Sequence, residues 1–142
     1  MSPNDVTRVP IGSDVQIGGA RQAVREAAVA AGFSLVEQTK IVTAASELAR
    51  NTLVHGGGGH MELAVEDGPG GPGIRLTFVD EGPGIRDVSA ALSDGYTTGS
   101  GLGLGLGGAR RLVQDFTIDS TPGGGTTVTV VSWSRAGQRA RR

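Results

Sequence analysis

The sequence has no cysteine and few aromatic side chains, with one tryptophan, one tyrosine and three phenylalanines in 142 residues. Without cysteine, disulfide scaffolds, thiolate metal centres and thiol nucleophiles are excluded, and the composition suits a reducing compartment. So few aromatics leave no evident platforms on which nucleic-acid bases would stack. The formal net charge is only −1, so the whole molecule is not a polyanion binder; neither nucleic acid nor membrane is an expected partner. Lysine occurs once, at Lys40, and no G-x-x-x-x-G-K-[S/T] run exists, which excludes a P-loop phosphate site. No segment approaches the roughly 18 apolar residues of a membrane span. The start of the chain lacks the charged-then-apolar pattern of a secretory signal. A cytoplasmic location is therefore expected.

Glycine is what the chain has in excess: 25 residues, against a usual share of about 7%. They gather in a few places, which marks turns and loops and not general disorder. The length favours one domain, here residues 1–135, followed by a basic tail, 136–142, that offers no core residue and is expected to be disordered.

Residues 6–11 partly alternate and read as a strand. Ser13 precedes Gln16 by three, and Ile17, Ala20, Val24, Ala27, Ala28 and Ala31 follow at helical spacing up to Gly32. Ser34 and Glu37 form a second capping box ahead of Ile41, Ala44, Ala45, Leu48 and Thr52, the apolar stripe of a second helix. Residues 60–66 and 74–80 read as strands joined by a glycine- and proline-rich turn over 67–73. A short helix over 88–92, a glycine loop to 105, a helix from 106 or 107 to 115, and a hairpin of strands 116–121 and 126–133 complete the chain. Strands joined by hairpin turns, with the helices grouped, argue for an α+β fold: helices layered on one face of a largely antiparallel sheet.

Three segments carry chemistry. Glu47 and Asn51 are four apart and so share a helix face at the edge of the apolar stripe. An asparagine carbonyl suits magnesium, which takes few protein ligands and fills its shell with phosphate and water oxygens. A glutamate beside it can accept a proton. The same pair also fits a solvated i,i+4 polar contact. Asp80 ends a strand, with Gly82 and Gly84 directly after it. A carboxylate there can accept a hydrogen bond from an exocyclic amine such as adenine's, and glycines let a flat ring approach; a plain D-x-G turn is the rival account. Gly99, Ser100, Gly101, Leu102, Gly103, Leu104 and Gly105 alternate glycine with leucine before a helix. Successive amides there can face one anion, or the run can serve as a flexible connector. A G-x-G-x-x-G match within it, from Gly103 to Gly108, lacks the preceding buried strand of a dinucleotide site. Thr126 and Thr127 open the last strand, where their hydroxyls reach a base directly or through water, or simply favour the strand. His55 reads as a cation at a helix C-terminus, and His60 as a strand-edge side chain.

With these segments in hand, the chain resembles the gyrase, heat-shock-chaperone, histidine-kinase and mismatch-repair ATPase superfamily. Glu47 with Asn51 matches its first box, Asp80 with Gly82 and Gly84 its second, and residues 99–105 its third. Within that superfamily it is similar to the small bacterial anti-sigma and switch-protein serine kinases. The run from Thr43 to Asn51, Asp94-Gly95-Tyr96-Thr97-Thr98, and Gly124-Gly125-Thr126-Thr127-Val128 carry this likeness. The resemblance implies a two-layer α/β sandwich with a mixed, mostly antiparallel sheet, the Bergerat-type ATP-binding fold. It implies ATP and Mg2+ as cofactors, and phosphorylation of a serine or threonine on a STAS-domain antagonist in a stressosome-type partner-switching pathway. A PP2C-type phosphatase or a sigma factor would be a further partner. Residue by residue, Asn51 would bind magnesium, Glu47 would act as base, and Asp80 would contact adenine. Gly82 and Gly84 would shape the pocket, Gly99, Ser100, Gly101, Leu102, Gly103 and Gly105 would form a phosphate lid, and Thr126 would line the base site. The alternative is a non-catalytic ATP-binding switch module that sequesters a sigma factor or activates a phosphatase.

Overall fold

The computed structural model describes residues 6–85, 87–92 and 105–134. Its elements run β1 (Val6–Ile11), α1 (Asp14–Ala30), α2 (Leu35–Val54), β2 (Gly59–Gly68), β3 (Gly71–Asp80), α3 (Val88–Leu92), α4 (Gly105–Arg111), β4 (Asp115–Ser120) and β5 (Thr126–Trp133). Both predicted helix starts are present. Ser13 caps α1 by accepting from the Gln16 amide, and Ser34 and Glu37 make the reciprocal capping box of α2, so orphan amides of the first turn are satisfied.

The sheet order is β1-β2-β3-β5-β4. A mixed, mostly antiparallel sheet is expected; among the described residues all four pairings are antiparallel. Alternation sends Met61, Leu63, Ile74, Leu76, Phe78, Val128 and Val130 to one face, where they are buried with Ile17, Val24, Ile41 and Leu48 of the two long helices. The opposite face carries Arg8, His60, Glu62, Thr77 and Thr129. His60 lies there inside the sheet, opposite Pro10 and Val79 and hydrogen-bonded to Arg8 and Glu62, and not at an edge.

Two boundaries differ from the expected ones for tertiary reasons. The turn between β2 and β3 shrinks to Pro69 and Gly70, because Gly68 and Gly73 lie under the Trp133 ring; a Cβ on either would fall 2.4–2.5 Å from it. The helix expected to reach residue 115 stops at Arg111, because Asp115 pairs with Val131 in the sheet and accepts a hydrogen bond from Trp133 Nε1 at 3.1 Å.

What positions the site is the skip in strand order. The chain leaves β3 at Asp80, passes through α3 and α4 on the helical face, and enters β4 before β5 inserts beside β3. The register sets Asp80 opposite Thr126 on one side and Gly59 on the other. A gap between sheet and α2 opens where these strand ends meet the last turns of α2.

Candidate nucleotide site

That gap is a cavity of about 360 Å³, within the size range of small-molecule sites. Leu48, Phe78, Ile85, Ala91, Leu106 and Val128 supply apolar walls, and Glu47, Asn51, Asp80, Asp87 and Thr126 place polar groups among them. A flat apolar body with polar edges fits such a lining. The 3.6-residue period of α2 makes this possible: Leu48 and Thr52 face the core, while Glu47 and Asn51 sit half-buried one step around the helix.

Asp80 is held by its own loop. Its Oδ1 accepts the Gly82 amide at 2.9 Å, which leaves Oδ2 for another donor. Gly84, at φ +78°, is confined by backbone as well: a Cβ there would lie 2.2 Å from the Thr121 carbonyl oxygen. The loop is latched to the β4–β5 turn. The Gly123 amide donates to the Pro83 carbonyl at 2.7 Å, and the Ile85 amide donates to Ser120 Oγ at 2.7 Å. Ser120 Oγ also lies 2.8 Å from Thr126 Oγ1. One hydroxyl thus joins the loop after β3 to the threonine that faces the cavity.

Among the described residues, no group of three or more His, Asp and Glu side chains could hold a metal ion. The donor set instead offers one amide oxygen, from Asn51, with the Glu47 carboxylate on the same helix face. This suits magnesium that arrives with phosphates and keeps its waters, and not a resident ion in a protein cage.

Of the residues singled out in the sequence, Glu47, Asn51, Asp80, Gly84, Gly105 and Thr126 all line this cavity. Gly82 does not line it; it stands behind Asp80 as an amide donor. Gly99, Ser100, Gly101, Leu102 and Gly103, the Asp94-to-Thr98 segment and the 136–142 tail lie outside the described residues. His55 is the exposed C-cap of α2 and lies at the cavity's rim beside Arg50 and Val54. Sequence reasoning missed Gly56 and Ser120. Gly56 packs against Asp80, with an added Cβ meeting Asp80 Cγ at 2.3 Å. It was hidden in a run of four glycines whose members look alike in sequence. Ser120 carries no local signal, because strand register brings Thr126 to it and the fold brings Ile85 from 35 residues away.

A profile of the family described as histidine kinase-, DNA gyrase B-, and HSP90-like ATPase matches residues 36–135. The chain belongs to this family. The match begins at the first turn of α2 and takes in every described cavity residue. Within the ATPase family, the chain is 39% identical over 132 residues to the serine/threonine-protein kinase RsbT of Bacillus subtilis, covering 93% of this chain and 99% of that protein. It is 35% identical over 101 residues to the anti-sigma F factor of Bacillus velezensis, covering 65% of this chain and 66% of that one. The RsbU and RsbW domains of a Mycobacterium tuberculosis protein share the fold, with a TM-score of 0.64 at 21% identity over 93% of this chain and 33% of theirs. Among the described residues, no helix is long and apolar enough to cross a membrane.

Proposed function

We propose that this protein uses ATP and magnesium to phosphorylate a serine or threonine on a STAS-domain antagonist, within a partner-switching pathway. It is a serine/threonine kinase of the partner-switching kind. The observation that carries the reading is the meeting of Glu47, Asn51, Asp80 and Thr126 around one apolar cavity, in a chain similar along its length to a serine/threonine-protein kinase.

In this reading each side chain has a task. Asp80 Oδ2 accepts a hydrogen bond from the adenine amine while Gly82 holds Oδ1. The apolar walls exclude water from the ring. Asn51 offers its carbonyl oxygen to magnesium, and Glu47 orients the incoming hydroxyl and takes its proton. Bound magnesium would neutralise charge on the phosphates, which with positioning is most of what phosphoryl transfer requires.

The test is incubation with labelled ATP, magnesium and candidate STAS-domain proteins. Label on a serine or threonine of one of them is expected. Label released only as free phosphate would replace the kinase with a plain ATPase. The similarity to anti-sigma F factors favours a second reading, in which the protein sequesters a sigma factor, or activates a PP2C-type phosphatase, with ATP setting its shape. Glu47→Ala separates the two: regulation that survives loss of transfer would establish the switch module.

A further inference from the structure

We infer that Gly56 is a positioning residue for base recognition, acting through Asp80; the inference rests on the ATP reading of the cavity. Two main-chain groups and one side chain converge on Gly56. Its amide donates to the Asn51 carbonyl at 3.1 Å, which ties it to the helix turn that carries the metal-binding candidate. The Gly82 backbone packs against its other side, so closely that a Cβ on Gly82 would lie 2.7 Å from Gly56 Cα and 2.9 Å from its carbonyl oxygen. Its own missing Cβ would fall 2.3 Å from Asp80 Cγ, 2.5 Å from Cβ and 2.6 Å from Oδ2.

These contacts fix how strain at this point would resolve. Gly56 is fenced by the Asn51 carbonyl behind it and the Gly82 main chain beside it. A methyl group at position 56 therefore pushes on Asp80: turning its side chain relieves the contacts to Cγ and Oδ2, and the 2.5 Å contact to Cβ requires the end of β3 to shift with it. Asp80 is also the group that reads the ring, through the oxygen nearest the clash. Gly56 thus sets the spacing between the base end of the cavity, Asp80, and the phosphate end, Asn51. Its substitution would alter which base is accepted before it altered the chemistry of transfer.

The experiment is calorimetric titration, with magnesium, of ATP and of purine riboside triphosphate, which lacks the exocyclic amine. The wild type is expected to prefer ATP by about tenfold or more, the worth of one half-buried hydrogen bond to a carboxylate. Gly56→Ala should weaken ATP by a similar factor and bring the ratio of the two affinities to about one. Gly57→Ala is the matched control. Its φ of +73° makes the substitution strained, yet nothing lies within 4 Å of the added Cβ, so stability should fall while the ratio stays at the wild-type value. A preserved ratio in Gly56→Ala, or an equal loss of ratio in Gly57→Ala, overturns the inference. A wild type that binds neither nucleotide overturns the ATP reading itself. If Gly56→Ala does not fold, amide shifts of the wild type decide: Gly56 and Gly82 should respond to ATP and much less to the analogue, and equal responses refute the role.

Discussion

Ser120 Oγ and Thr126 Oγ1 lie 2.8 Å apart across the β4–β5 hairpin, and the same Ser120 oxygen accepts the Ile85 amide at 2.7 Å. One hydroxyl therefore couples a cavity-lining threonine to the loop that follows Asp80. Ser120→Ala leaves the Ile85 amide without its acceptor. Stability should drop by about 1 kcal/mol, the low end of the cost of an unmet donor, because the site is only partly buried. Adenine-nucleotide affinity should weaken by several-fold, because Ile85 and Thr126 both line the cavity. Denaturant melts and calorimetry on the one variant measure the two effects.

Asn51→Ala is expected to abolish magnesium-dependent transfer while the fold persists, since Asn51 is only half-buried. Binding of adenosine, which has no phosphates, should change little. Full transfer activity in this variant removes Asn51 from the mechanism; loss of adenosine binding moves it to the base end of the cavity.

Ser34→Ala removes one half of the α2 capping box, the acceptor of the Glu37 amide at 3.2 Å. A loss of about 1 kcal/mol is expected, with a fall in melting temperature of about 4 °C for a domain of this size. Ser34 opens α2 at the end away from the cavity residues. Nucleotide affinity should therefore stay at the wild-type value, which isothermal titration checks.

Glu66 and Arg75 pair across β2 and β3 on the open face of the sheet. The hydrogen bond to Glu66 raises the Arg75 pKa, so the guanidinium stays charged throughout the working range. Because the pair is substantially exposed, Glu66→Gln should cost less than about 1 kcal/mol. Half a molar salt should narrow the difference further, as screening predicts. A larger, salt-independent loss would mean that the contact is structural and not electrostatic.

Much of this architecture could be read locally. Ser13 and Ser34 announce their helices, and Ile74, Leu76 and Phe78 announce a half-buried strand. The face shared by Glu47 and Asn51 follows from helical period alone. What escaped was set by residues distant in sequence. Trp133 decides where β2 and β3 end, Val131 draws Asp115 into β4, and register alone brings Thr126 opposite Asp80. Gly56 was invisible for a related reason. A glycine needed for contact and one needed for a turn have the same letter, and only the position of the Asp80 carboxylate distinguishes them.

Among the described residues, the cavity takes nothing from β1 or α1: its lining starts at Glu47. β1 and α1 thus form a buttress, joined to the rest through α2 and β2. Mutational drift along the outward side of that buttress would be tolerated without disturbing substrate chemistry.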